Sequence, residues 1–234
     1  GMSSFFHTSA LNSLAVAYSR RGSYLSIVSR HGRLYFQSMY GGRWNDGEEL
    51  FELILIDHAG NPQPFEIEAR PDRLNLTSAT GSVEICAAGE NNALVHGRNA
   101  GLRLMRQTAE RMFDYIYSPE GARWEVNSFD AAIKAGLRTQ RGVLRINAPW
   151  DRIHNQTITA DFLPDEHGIV EGQIHLFTSV WRQQDRDRFD FEAAAVENAR
   201  DFAIWIDAAL PVPQRWSKGR ETASLVHWSS VVAP

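Results

Sequence analysis

Between residues 24 and 177 the chain alternates apolar and polar positions in short runs, with turn residues between one run and the next. Side chains point to opposite faces along a strand, so runs such as 24–29, 33–39, 65–69, 73–77 and 82–86 read as strands with one buried face. The first two are joined by Arg30-His31-Gly32, a short glycine-containing hairpin signal. Segment 48–57 differs, because its inner run Phe51-Glu-Leu-Ile-Leu-Ile56 is apolar enough to be covered on both faces. Further alternating runs occupy 92–96, 101–106, 113–117, 123–127, 142–147, 156–162 and 169–177. Strand starts spaced by roughly 8–12 residues predict a large antiparallel sandwich or barrel. No alternation of strands with helices points to a doubly wound or (β/α)8 fold, and no internal repeat points to a propeller.

The period changes near residue 190. Over 191–210 the positions Ala195, Ala199, Phe202, Ala203, Ile206 and Leu210 share one helical stripe. Asp190 can cap the first turn with its carboxylate, and Pro211 and Pro213 stop the helix. Such a helix is roughly 30 Å long. A second helical pattern over 217–232 sets Leu225, Trp228, Ser229 and Val232 on one face. The expectation is a mainly β chain: a large antiparallel β-supersandwich over 1–186, followed by C-terminal linker helices over 187–234. A chain ending on Trp-Ser-Ser-Val-Val-Ala-Pro, with no C-cap glycine and no polar tail, is expected to have been cut from a longer polypeptide.

Composition narrows the function only by exclusion. A chain of 234 residues can bury a sizeable core without staples. Its 43% hydrophobic and 22% charged residues are globular values. A formal net charge of −4 gives no electrostatic reason to expect nucleic acid. The single cysteine, Cys86, rules out a disulfide framework, and its strand-like context suggests a small buried hydrophobe. Gly1 before Met2 reads as an expression scar. No leader is visible, and no window approaches the ~18 apolar residues of a membrane span. The expected location is cytoplasmic, without a membrane partner.

Candidate chemistry is sparse. The eight histidines are scattered with no ligand spacing, so no metal site or other cofactor is expected. His175, inside a strand, reads as a packed or surface residue. No nucleophile elbow, phosphate loop or dinucleotide fingerprint occurs. The acidic groups Glu48-Glu49, Asp165-Glu166 and Asp185/Asp187/Asp190 fall in turns or at a helix start, where solvated acids are ordinary. No catalytic residue is assigned. Aromatic residues say more: Trp44, Trp124, Trp150 and Trp181 lie in or beside the β region, and Trp205, Trp216 and Trp228 lie in the helical tail. An aromatic face beside Asn, Asp and Arg suits a sugar, and the glycine-rich loop 40–47 places Arg43, Trp44, Asn45 and Asp46 together. Tryptophans of the tail fit better as packing between helix and sheet.

The stretch Tyr40-Gly-Gly-Arg-Trp-Asn-Asp-Gly-Glu-Glu-Leu-Phe-Glu-Leu-Ile-Leu-Ile-Asp57 resembles a turn-then-strand found early in bacterial glycosidases of the glycogen-debranching, trehalase and processing-α-glucosidase type. The tail resembles the linker of those proteins, which joins an N-terminal β-supersandwich to an (α/α)6 barrel. The resemblance implies a non-catalytic domain of a glycoside hydrolase, with carbohydrate and the intramolecular barrel as partners. It also implies an inverting mechanism whose acid and base, roughly 6.5–9.5 Å apart, stand on barrel loops beyond Pro234. Arg43, Trp44, Asn45 and Asp46 are the candidate substrate-binding residues, on a loop expected to rim the sugar site. The alternatives are a stand-alone carbohydrate-binding β-sandwich module, a sandwich enzyme with His and carboxylate converging in a groove, and a purely structural module.

Overall fold

The computed structural model describes residues 17–18, 23–39, 48–108, 114–128 and 132–209. The β2–β3 hairpin shows how local chemistry sets the pairing. Strands β2 (Leu25–Arg30) and β3 (Arg33–Ser38) pair from Arg30↔Arg33 outward, so the loop is only His31-Gly32. Both loop residues have positive φ, 52° and 75°, and turns of this hand match the twist of the flanking strands. Leu25, Ile27, Leu34 and Phe36 then point inward together.

The described strands form two large antiparallel sheets. The seven-stranded sheet runs β1 (Ala17–Tyr18), β2, β3, β4 (Glu48–Ile56), β9 (Gly101–Gln107), β16 (Thr157–Leu163) and β13 (Val143–Asn147). The eight-stranded sheet runs β10 (Tyr115–Glu120), β11 (Arg123–Ser128), β12 (Ile133–Arg141), β17 (Ile169–Phe177), β8 (Asn92–Arg98), β7 (Ser82–Ala88), β6 (Leu74–Thr77) and β5 (Glu66–Ala69). A small ribbon, β14 (Trp150–Asp151) with β15 (His154–Asn155), stands apart. Inward residues of both sheets form one continuous apolar cluster, among them Leu53, Leu55, Leu102 and Phe162 facing Ile85, Val95, Leu137 and Ile174. This is the mainly β, antiparallel sandwich that the alternation predicts.

Strand β12 lies inside its sheet, between β11 and β17, and falls outside the alternating runs read from the sequence. Ala135 and Gly136 interrupt the β-branched pattern, and the glycine has a packing reason. A Cβ at Gly136 would overlap the Trp181 indole, which lies against this strand.

The other face of β4 is buried too, as its apolar run requires. Ile54, Ile56 and Leu163 are buried there against Met105. Beside them Arg103 holds Asp161 with two hydrogen bonds, Nε to Oδ1 at 2.8 Å and Nη2 to Oδ2 at 2.9 Å, and Arg145 adds a third at 3.1 Å.

Two helices cover the outer face of the eight-stranded sheet: α1 (Gln183–Arg186) and α2 (Phe191–Ala209). Asp190 caps α2, its Oδ1 accepting from the Ala193 amide at 3.0 Å. The buried stripe of α2 is Ala194, Ala195, Asn198, Phe202 and Ile206. It is rotated slightly from the predicted stripe: Ala199 is exposed, and Asn198 takes the inner position. Polarity explains the change, because the Asn198 amide donates to the Ala87 carbonyl at 2.7 Å and lies 3.3 Å from Cys86 Sγ. Leu210 and the second helical pattern lie outside the described residues.

Cys86 is sealed beneath α2, and burial pushes its thiol up to about 12. Only a thiolate attacks an alkylating reagent at a useful rate. Cys86 is therefore expected to resist iodoacetamide in the native protein near pH ~8 and to react fully once urea unfolds it. Rapid labelling of the folded chain would show that α2 does not seal the sheet.

Candidate functional site

The loop with Arg43, Trp44, Asn45 and Asp46 lies outside the described residues, so the structure neither joins nor separates these four. What it does show is the polar scaffold where that connection re-enters the sandwich. Arg106, at the end of β9, donates from Nη1 to the Glu49 and Leu50 carbonyls at 3.2 and 3.1 Å. The same guanidinium donates to Asp114 Oδ2 from Nε at 3.1 Å and Nη2 at 2.7 Å, and from Nη2 to Ser128 Oγ at 3.0 Å. Asn155 completes the network. Its Oδ1 accepts from the Ile116 amide and its Nδ2 donates to the Ala148 carbonyl, both at 2.8 Å. Its backbone amide meets the Asp114 carbonyl at 3.1 Å, and its own carbonyl accepts the Thr108 hydroxyl. The ends of β4, β9, β10 and β11 are thereby tied at one pole of the sandwich. The β14–β15 ribbon projects from that pole with Trp150 60% exposed.

A second cluster lies on the outer face of the eight-stranded sheet. Register places Tyr117, Glu125, Gly136, His175 and Asn92 in one row across five strands. Tyr117 donates its hydroxyl to Glu125 at 2.7 Å and receives Lys134 Nζ at 3.3 Å. Trp181 fills the gap over Gly136. His175, Phe177 and Trp181 stack with ring centroids 6.1–6.2 Å apart and planes within 14–18°. His175 Nε2 stands 3.7 Å from Asp185 Oδ2, an electrostatic contact longer than a hydrogen bond. Beside the pair opens a cavity of about 550 Å³, also lined by Tyr24, Glu90, Phe177, Arg182 and Arg188.

Burial is the largest influence on His175 and pushes its pKa below the ordinary 6.5. Asp185 and the Asn91 backbone oppose that shift, and Arg188 adds to it. The imidazole is therefore neutral near pH ~7, a state suited to accepting a proton or a hydrogen bond. The unfolded chain binds the proton more readily than the folded one. The stabilisation from the neutral ring is thus complete above the ordinary value and is lost as pH falls through the folded value. Denaturation at about pH 7.5 and about pH 5 is expected to show a larger loss in the wild type than in His175→Phe, which keeps a ring in the stack. Equal losses would assign the acid sensitivity to other groups.

The tryptophans divide by place. Trp181 is buried, Trp124 and Trp205 are half-buried against the core, and Trp150 faces solvent. Trp205 packs against the common core, with its ring 6.0 Å from that of Phe202 on the same helix. His175 is packed, as its strand context suggests, but Asp185 turns out to face it rather than stand in a solvated turn. The signal available was the outward period of β17, Glu171-Gln173-His175-Phe177, a polar–aromatic set on a strand whose other face is apolar. Among the described residues, no group of three or more His, Cys, Asp or Glu side chains is placed to hold a metal ion.

No protein-family model matches the chain, and no curated protein matches it. Solved structures do. A family GH92 α-mannosidase from Bacteroides thetaiotaomicron in complex with mannoimidazole superposes with a TM-score of 0.55 at 7% identity, over 81% of this chain and 34% of that one. A family GH92 inverting mannosidase from the same organism gives 0.54 at 7% identity, over 82% and 33%. At this identity the likeness is one of fold. The chain spans about a third of the length of these mannosidases.

Proposed function

We propose that this chain is the non-catalytic β-sandwich domain of a glycoside hydrolase acting on α-glucosidic or related oligosaccharides. In this reading residues 1–186 form the sandwich and 187–234 lead into an (α/α)6 barrel that carries the acid and base. The observation that supports it most is the shared fold with part of two α-mannosidases, over most of this chain and only a third of theirs. Helix α2 supports it as well, because it leaves Val196 and Ile204 57% and 63% exposed on its outer side, where a following domain could seat. Arg43, Trp44, Asn45 and Asp46 would contact the sugar. The domain would work in the cytoplasm without a cofactor of its own.

A second reading, a stand-alone carbohydrate-binding module, draws support from the cavity beside His175. The convergence of His175 and Asp185 also keeps a self-contained sandwich enzyme in view. One assay separates the sandwich enzyme from the main proposal. The purified 234-residue chain is expected to release no sugar from maltose, trehalose, α-glucan fragments or aryl α-mannosides. Turnover that disappears in Asp185→Asn would overturn the non-catalytic assignment.

A further inference from the structure

We infer that the edge formed by β10 and the β14–β15 ribbon is a binding platform for a neutral oligosaccharide, with Tyr115, Tyr117 and Trp150 as its aromatic contacts. The inference goes beyond the accessory-domain reading, takes only its class of sugar from it, and does not depend on a catalytic barrel. It begins from Trp150. Tryptophan is highly buried on average, and Trp124, Trp181 and Trp205 follow that rule. Trp150 does not: it is 60% exposed, with Ile153 of the same hairpin 45% exposed.

The hairpin that carries this indole is firmly anchored. Trp150 is the cross-strand partner of Asn155. Asn155 is buried, its side chain bonded to the Ile116 amide and the Ala148 carbonyl and its own amide to the Asp114 carbonyl. At the base of the ribbon the Gln156 amide donates to the Pro149 carbonyl at 2.8 Å. Ile116 lies between Tyr115 and Tyr117, so the ribbon is bonded to the strand that carries both tyrosines. Their rings share the outer face of the sheet, centroids 5.7 Å apart, and both are partly exposed. Helices α1 and α2 pack on β17, β8 and β7, away from the β10 edge. Rings held in place before a guest arrives lose little freedom when it binds.

The chemistry of the edge selects the guest. An aromatic ring offers a flat apolar face to the C–H side of a pyranose, and polar neighbours hydrogen-bond its hydroxyls. The Tyr117 hydroxyl bonds both Glu125 at 2.7 Å and Lys134 at 3.3 Å, and Asp151, Arg152 and His154 surround Trp150 in sequence. Glu125 balances Lys134 and Asp151 balances Arg152, so neither element favours a charged guest. A strand from another chain is a poor occupant, although β10 is the last strand of its sheet. Asn155 already takes the Asp114 and Ile116 backbone groups, Pro119 has no N–H to offer, and the ladder is irregular between Tyr117 and Glu120. A second copy docked on its face would need roughly 800 Å² from each partner. The large aliphatic and indole side chains exposed on the ribbon are Trp150 and Ile153, too few for that and enough for a sugar ring.

The test is titration of the whole 234-residue chain with maltohexaose and with an α-linked mannotetraose, followed by NMR. Tetragalacturonate serves as the charged probe. Saturable binding of at least one neutral sugar is expected. The indole N–H signal that vanishes in Trp150→Ala identifies Trp150 in the wild type, and it is expected to shift on titration. Affinity should fall at least ~10-fold in Trp150→Ala and in Tyr115→Ala and stay unchanged in Asp185→Ala, beside the His175 cavity. Trp150 faces solvent, so its removal leaves the fold intact and keeps the test decisive where Tyr115→Ala folds poorly. No saturable binding up to about 10 mM sugar would overturn the inference, as would tighter binding of tetragalacturonate. Unchanged affinity in either folded aromatic variant, or affinity lost in folded Asp185→Ala, would also overturn it by placing the site elsewhere. None of these outcomes touches the accessory-domain reading, which is decided by hydrolysis.

Discussion

Asp114→Ala is expected to lower the unfolding free energy by roughly 3–5 kcal/mol, because it leaves the Arg106 guanidinium buried without its counter-charge. Arg106 is 2% exposed and Asp114 0%, so water cannot take the place of the lost carboxylate. The remaining contacts of Arg106, to the Glu49 and Leu50 carbonyls and Ser128 Oγ, use three of its five N–H protons, so Nε–H and one Nη2–H lose their partner and the charge is not cancelled. For a domain stabilised by about 5–15 kcal/mol in total, this is a large fraction. Urea denaturation is the measurement. The midpoint should fall while the slope stays unchanged. The double variant Arg106→Met with Asp114→Leu should recover a good part of the loss, since apolar replacement of both partners removes the unpaired charge. A single-variant loss under ~0.5 kcal/mol would mean that this pole is open to water.

Phe162→Ala is expected to cost about 3–5 kcal/mol by leaving a cavity between the two sheets. Phe162 projects from β16 of the seven-stranded sheet and is fully buried in the common core. Across the sandwich it meets Gly172 of β17, where an added Cβ would stand 2.7 Å from the ring. The glycine thus gives the ring its space. Gly172→Ala alone should destabilise by about 1–3 kcal/mol through overpacking. Combined with Phe162→Leu it should cost less than the sum of the two single losses, because the smaller side chain vacates the contested volume. Full additivity in a thermal or urea denaturation series would show that the two positions do not share that space.

The elements with a regular period were legible from sequence, and those whose character depends on a distant partner were not. The β2–β3 hairpin could be read because His31-Gly32 sits between two alternating runs, and both features are local. Helix α2 could be read from its alanine-rich period and from Asp190, although not the rotation that turns Asn198 inward, since Ala87 and Cys86 lie more than a hundred residues away. Strand β12 was hidden in part by Gly136, whose missing side chain makes sense only with Trp181 seated on the sheet. Helix α1, one turn long, has too few residues to show a period. The same limit hid the His175 cluster. Nothing in the spacing of His175, Trp181 and Asp185 announces that β17 and the following turn fold back on each other. The sugar-facing residues Arg43, Trp44, Asn45 and Asp46 lie outside the described residues and stand as a proposal.

We propose that this sandwich serves a glycoside hydrolase whose chemistry lies elsewhere in the same polypeptide. The most direct measurement is to translate the reading frame past Pro234 in the source gene, express the whole product and follow its hydrolysis of α-mannosides and α-glucosides by NMR. The prediction is a frame that continues for several hundred residues of paired helices. Its product should release sugar with inverted configuration, while the 234-residue chain releases none. A stop codon directly after Pro234, or a longer product that hydrolyses no glycoside, would contradict the claim and return the search for function to the two clusters of the sandwich itself.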